Sequence, residues 1–143
     1  ADDSYNFLEL SLFIERLQAG YDMVMGNRFA GGITKGAMPW LHRYVGNPFL
    51  SSLGRFLFKN NIGDFHCGLR AFTKKCYNII NPQCNGMEFA SELVALASIH
   101  QMRICEIPVT LYPDGRKRRP HLRSWRDGFR HMVLLYSLYL LRN

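Results

Sequence analysis

Tyr21-Asp22-Met23-Val24-Met25-Gly26-Asn27-Arg28 is the stretch from which the fold is read most directly. The run over 21–25 is short, largely apolar and bounded by Gly20 and Gly26, a pattern that predicts a buried strand. The end of that strand delivers Gly26, Asn27 and Arg28 into a loop, and Gly31, Gly32 and Gly36 make the loop flexible. In an open α/β sheet such a strand end faces the ligand crevice, which favours a functional role for Arg28.

Upstream, Asn6 followed three residues later by Glu9 resembles a helix start. Phe7, Leu10, Phe13, Ile14 and Leu17 recur at the spacing of one helical face, and Gly20 ends the helix. Downstream, residues 38–59 read as helical, but Pro48 has no amide hydrogen and disfavours helix at Asn47, so a break or kink there and two helical pieces are expected. A polar turn follows Asp64, with a strand expected over 69–72 and a brief helix over 74–80 before Pro82. Residues 88–102 form the clearest amphipathic helix, with Phe89, Leu93, Leu96 and Ile99 apolar and Glu88 and Glu92 one turn apart. The β-branched run over 104–111 predicts a strand. Pro108 cannot donate to a ladder, so this strand is expected at a sheet edge or to end there. From Ser124 the pattern is helical again, and residues 132–141 are apolar on nearly all sides. A bilayer span needs about 20 such residues, so this run suits contact with an interface. Alternating helices and strands predict an α/β domain.

The 143 residues are 48% hydrophobic, enough for one domain with a sizeable core, and the composition argues against disorder. A formal net charge of +7 favours anionic partners. Its distribution is uneven: Arg116, Lys117, Arg118, Arg119, Arg123, Arg126 and Arg130 crowd one stretch, while Asp2, Asp3, Glu9 and Glu15 lie near the start. Cys67, Cys76, Cys84 and Cys105 match no zinc or redox spacing and read as reduced cytosolic thiols. No HExxH or comparable spacing surrounds His42, His66 or His121.

Adjacent carboxylates just ahead of a helix suit a hard divalent cation, which prefers oxygen ligands and often shares them with phosphates. Asp2, Asp3 and Ser4 equally suit capping of the helix amides, and spacing alone favours that reading. Taken alone, Asp64 suits an Asx turn before a strand.

Four segments occur in one order: Ala1-Asp2-Asp3-Ser4, Gly26-Asn27-Arg28-Phe29, Asp64-Phe65-His66-Cys67-Gly68-Leu69-Arg70-Ala71-Phe72 and Glu106-Ile107-Pro108-Val109. Together they resemble a family 2 glycosyltransferase, of the kind that moves sugars to polyprenyl phosphates, as dolichol-phosphate mannosyltransferases do. The resemblance covers nearly the whole chain but only the later portion of that catalytic domain. It therefore implies a fragment, with a nucleotide-binding first half expected before Ala1. The implied fold is an incomplete GT-A, Rossmann-like α/β domain over residues 1–120. A basic, apolar and membrane-proximal helix would follow over 121–143.

By that likeness Asp2 matches the second aspartate of a DxD motif that binds Mg²⁺ or Mn²⁺, with Asp3 beside it and Ser4 a weaker candidate. Asp64 becomes a base or an organiser on the acceptor side. Arg28 and Arg43 match basic positions near the acceptor phosphate, Arg116 and Arg118 lie in a basic loop suited to phosphate, and Arg126 and Arg130 suit lipid headgroups. Arg70 and Glu88 are lesser site candidates. The implied reaction is metal-dependent, inverting transfer from a nucleotide sugar to a polyprenyl phosphate or another acceptor, at the cytoplasmic face of a membrane. Two readings from other classes stay open: a basic nucleic-acid module built on the arginine cluster, and a noncatalytic membrane-surface protein. The first explains the charge but not the ordered acidic and glycine motifs, so a nucleic-acid partner is disfavoured.

Overall fold

A computed structural model describes residues 4–113 and 124–142 of the chain. A four-stranded sheet forms its centre, with β1 at Met23–Asn27, β2 at Gly32–Ile33, β3 at Arg70–Phe72 and β4 at Ile104–Leu111. The order is β2-β4-β1-β3; β4 runs parallel to both β1 and β2, and β3 runs antiparallel to β1. This is the expected α/β architecture.

The two faces of the sheet separate by strand periodicity. Val24 of β1 and Ile107 and Val109 of β4 pack with Phe13 of helix α1, Leu10–Gln18. Met23 and Met25 turn the other way, toward Leu93, Val94 and Ala97 of helix α5, Phe89–Ile99. A third cluster joins Leu57 and Phe58 of α3, Asn47–Phe58, to Ala95 of α5 and to Leu135 of α6, Ser124–Leu141. Helix α4, Lys74–Ile80, contributes Cys76 and Ile80 to the same side as α5 and is capped by Thr73 Oγ1, which accepts from Cys76 N at 3.0 Å.

Local signals act largely as expected. Asn6 Oδ1 accepts from Leu8 N at 3.1 Å and starts a 3₁₀ turn at Phe7–Glu9 that runs into α1. Gly20, at φ 92°, takes the left-handed conformation that stops α1. Residues 38–59 hold two abutting helical pieces, as expected: a π-helical segment, His42–Gly46, runs directly into α3, and Pro48 falls in the first turn of α3. The wider turn leaves room for the proline ring and for its missing donor, so the helix bulges instead of breaking. One expectation needs correction: β4 is not an edge strand and does not end at Pro108. Pro108 pairs with Asn27 at the end of β1, while β2 joins β4 only at Thr110 and Leu111. The proline thus holds the last register position of the β1–β4 ladder, two residues before the β2–β4 ladder begins.

Candidate active site

The site begins where β1 ends. Asn27 is extended and its side chain accepts from Ala30 N at 2.9 Å, which winds the next residues into the single turn α2, Arg28–Gly31. Arg28 is therefore the first residue beyond a strand whose first four members are buried, and only 8% of its surface is exposed. Its guanidinium grips Asp64 with two bonds: Nε donates to Oδ2 at 2.6 Å and Nη2 donates to Oδ1 at 2.7 Å. The Arg28 backbone N–H also donates to Oδ2 at 3.2 Å, and His66 N donates to Oδ1 at 3.3 Å. Asp64 is fully buried. Burial works against the charge of Arg28, but the Asp64 carboxylate more than offsets it and raises the guanidinium pKa above its ordinary value.

The loop that carries Asp64 is held from three elements. Glu106 of β4 accepts from Gly63 N at 2.9 Å and from Asp64 N at 3.0 Å. Ser51 of α3 accepts from Phe65 N at 3.2 Å, and the Phe65 ring lies where a Cβ on Gly54 would be 2.5 Å away. Arg70 Nε donates to Cys67 O at 3.1 Å and Arg70 Nη1 donates to Ala90 O at 2.9 Å, which ties the loop to α5. On the other flank the Tyr5 hydroxyl accepts from Gly68 N at 3.3 Å. Burial, followed by the neighbouring Cys67, pushes the Tyr5 phenol well above its usual range, so it remains neutral.

A chain of hydrogen-bonding groups runs from this loop to α6. His66 Nε2 and His131 Nδ1 both meet the Ser91 hydroxyl, at 2.9 and 2.7 Å, and the two rings stand edge to face. One hydroxyl hydrogen serves two ring nitrogens, so Ser91 donates to one histidine and accepts from the other. Among the described residues His66 Nδ1 is buried without a partner. Burial, then the nearby His131, pushes the His66 pKa down to about 3, against the opposing pull of Asp64. Burial lowers His131 as well, with Glu88 and Asp127 opposing and Arg130 reinforcing.

These directions fix a pH dependence. Both folded-state values lie below the unfolded value, so as pH falls the unfolded chain takes up protons first. For His66 this stability is full above about pH 6.5 and declines as pH drops toward 3, by up to about 1.4 kcal/mol per pH unit, and His131 acts in the same direction. Thermal melts between about pH 4.5 and 6.5, where unfolded carboxylates are largely ionised, should show this slope. A His66→Asn variant should show a shallower one; an equal slope would remove His66 from the account.

The structure unites two of the candidates, Arg28 and Asp64, and distributes the others. Arg43, in the π-helical segment, donates from Nη1 to Ile33 O of β2 at 3.3 Å and lies 5.3 Å from the Tyr44 ring centre. Arg70 is a staple between carbonyls, and Glu88 pairs with Arg130 of α6. Arg126 of α6 is exposed. Ser4 is buried, and its carbonyl accepts from Tyr112 N at 2.9 Å while Tyr5 bridges Leu111 at the end of β4. Asp2, Asp3, Arg116 and Arg118 lie outside the described residues. Among the described residues no group of three or more His, Cys, Asp or Glu side chains converges to hold a metal ion, so these residues do not supply a cation's ligand set. All four cysteines are free thiols. Among the described residues no helix is long and apolar enough to cross a membrane.

Sequence reasoning missed the Glu106 clamp and the Ser91 junction. The first had a visible signal, a charged residue inside an otherwise apolar strand over 104–111. The second had none, because His66, Ser91 and His131 are brought together only by packing of the loop, α5 and α6.

No protein-family model matches the chain. It is 37% identical over 133 residues to a low-salt glycan biosynthesis hexosyltransferase of Haloferax volcanii, a match that covers 92% of this chain and 32% of that protein. It is 33% identical to a dolichyl-phosphate hexose transferase of the same organism, over 76% of this chain and 46% of that protein. To a polyprenol monophosphomannose synthase of Mycolicibacterium smegmatis it is 29% identical, over 77% of this chain and 42% of the relative. The chain thus spans less than half the length of each of these relatives. These relatives show that the chain belongs to the family 2 glycosyltransferases, of which it represents a portion.

Proposed function

We propose that the protein containing this chain transfers a sugar from a nucleotide donor to a polyprenyl phosphate, and that Arg28 meets the acceptor's phosphate. The observation that carries this reading is the Arg28–Asp64 pair at the end of β1. A guanidinium has five N–H donors in a rigid fork; Asp64 occupies Nε and one donor of Nη2, which leaves others to face an anion. Held this way, the arginine loses little conformational freedom when phosphate binds. Asp64 acts here as the organiser. A polyprenyl phosphate is already an ionised nucleophile and needs alignment more than deprotonation. The names of two relatives, a dolichyl-phosphate hexose transferase and a polyprenol monophosphomannose synthase, support the acceptor class.

In the same reading Asp2, with Asp3 beside it, holds Mg²⁺ or Mn²⁺, and Arg116 and Arg118 contact phosphate. When bound, the cation stabilises negative charge on the departing nucleoside diphosphate. The contact of Ser4 with Tyr112 favours this grouping, because it sets the residues that follow Asp3 beside those that precede Arg116. Transfer proceeds in one displacement with inversion. The outer face of α6 suits a membrane surface: Phe129, Val133, Tyr136 and Leu140 recur at helical spacing and are exposed. A cleft of about 490 Å³ lined by Phe129, Val133 and Leu134 offers an apolar wall beside the Arg130–Glu88 pair, suited to an isoprenoid chain.

The test uses the full-length protein, nucleotide sugars, polyprenyl phosphates and Mg²⁺ or Mn²⁺. Arg28→Lys keeps the charge but loses the fork, and should raise the KM for polyprenyl phosphate by about tenfold or more. Absence of transfer to any polyprenyl phosphate would reject the reaction. An unchanged acceptor KM in Arg28→Lys would reject the role of Arg28.

A further inference from the structure

We propose that Glu106 is a positioning residue for the acceptor phosphate, acting through Asp64 on Arg28; this rests on the reading of Arg28 given above. Glu106 pairs with Met25 in the β1–β4 register, and Asn27 is two residues beyond Met25 on the same face of β1. Its two carboxylate oxygens accept from successive amides, Gly63 and Asp64. Each oxygen takes one donor, so the carboxylate fixes both the position and the rotation of the peptide from which the Asp64 side chain departs. Asp64 then sets Arg28 with both of its own oxygens.

The junction has no slack on its other side. A Cβ on Gly63 would stand 2.7 Å from Asn27 Nδ2 and 3.4 Å from Glu106 Oε2. Asn27 is the residue whose side-chain oxygen winds the α2 turn that begins with Arg28. Glu106, Gly63 and Asn27 therefore lock together the two backbones, loop and turn, between which the Arg28–Asp64 pair is stretched. A shift of the Gly63–Asp64 peptide would rotate the carboxylate and redirect the remaining guanidinium donors.

Glu106→Gln preserves shape but replaces one acceptor oxygen by an N–H₂ group that faces an amide donor, so one of the two bonds is lost and one contact becomes repulsive. In the full-length enzyme this variant should raise the KM for polyprenyl phosphate about tenfold while the KM for nucleotide sugar stays within about twofold. Gly63→Ala presses on the same junction from the opposite side and should give the same selective change. Arg28 Nε–H, observed by NMR, should exchange faster with solvent in either variant. A structural role without positioning would lower the active fraction and leave both KM values and the Arg28 signal unchanged, and that outcome overturns the proposal. Should Glu106→Gln fail to fold, Gly63→Ala and the Arg28 signal decide it. If Arg28→Lys alters acceptor KM but these variants do not, Glu106 loses its role and the proposed function stands. If Arg28→Lys has no effect, the underlying reading fails instead.

Discussion

Asp64→Ala lowers the unfolding free energy of the chain by about 3–5 kcal/mol, the range found when one partner of a buried ion pair is removed. Asp64 has no exposed surface and accepts four hydrogen bonds, two from the Arg28 guanidinium and one each from the Arg28 and His66 amides. Its loss leaves a cation that is 8% exposed without its counter-charge, and Arg28 cannot shed its proton to escape the desolvation penalty. The same argument gives a less obvious result. Removing both charges, as in Arg28→Met with Asp64→Leu, should be less destabilising than Asp64→Ala alone, because an apolar pair pays no desolvation cost. Urea denaturation of the three variants checks both statements. A double variant less stable than Asp64→Ala would mean that the hydrogen bonds to the loop backbone, rather than the buried charge, dominate the energetics.

The second large effect comes from Gly31. This residue is exposed to solvent, yet a Cβ there would overlap the Val109 backbone, 2.6 Å from its carbonyl carbon. Backbone of a strand paired on both sides cannot move aside as a flexible side chain would, so α2 would have to lift from β4. Gly31→Ala should cost about 3 kcal/mol, the upper part of the range for overpacking. It should also weaken acceptor use, since α2 carries Arg28. Gly128 provides the contrast. It lies inside α6, and an added Cβ meets no described atom within 4 Å. Gly128→Ala should stabilise the helix by about 1 kcal/mol. Thermal melts of the two alanine variants should move in opposite directions; a shift of the same sign for both would show that Gly31 is replaceable and that the α2–β4 contact is loose.

Much of the fold is legible in single positions because local physics decides them. Gly20 stops α1, a brief helix follows Thr73, and the apolar stretch before Gly26 forms β1 with Met23, Val24 and Met25 buried. Pro48 and Pro108 show where the reasoning falls short. Proline forbids a donor at its own position, but whether a helix breaks or bulges, or whether a strand is interior or at an edge, depends on the neighbouring chain. At Pro48 a π-helical segment absorbs the constraint; at Pro108 one ladder ends, two residues before the next begins.

Candidate site residues divide along the same line. Arg28 and Asp64 stand out in the sequence as charged residues at a strand end and before a turn. That they are partners follows only from the antiparallel return of β3 beside β1 and from the loop that precedes it. Arg70 and Glu88 look equally available in the sequence, but tertiary contacts place the first against two carbonyls and the second against Arg130.

By itself, then, the amino-acid order determined the α/β class, most of the helices and strands though not α2 and β2, and the chemical types able to handle phosphate, since periodicity, caps and side-chain charge are local properties. Only the tertiary structure decided which charges meet, because residues 36 and 42 positions apart in the chain, Arg28 with Asp64 and Asp64 with Glu106, become neighbours through sheet pairing and core burial. There the low polarity of the interior makes every charged group require a specific partner.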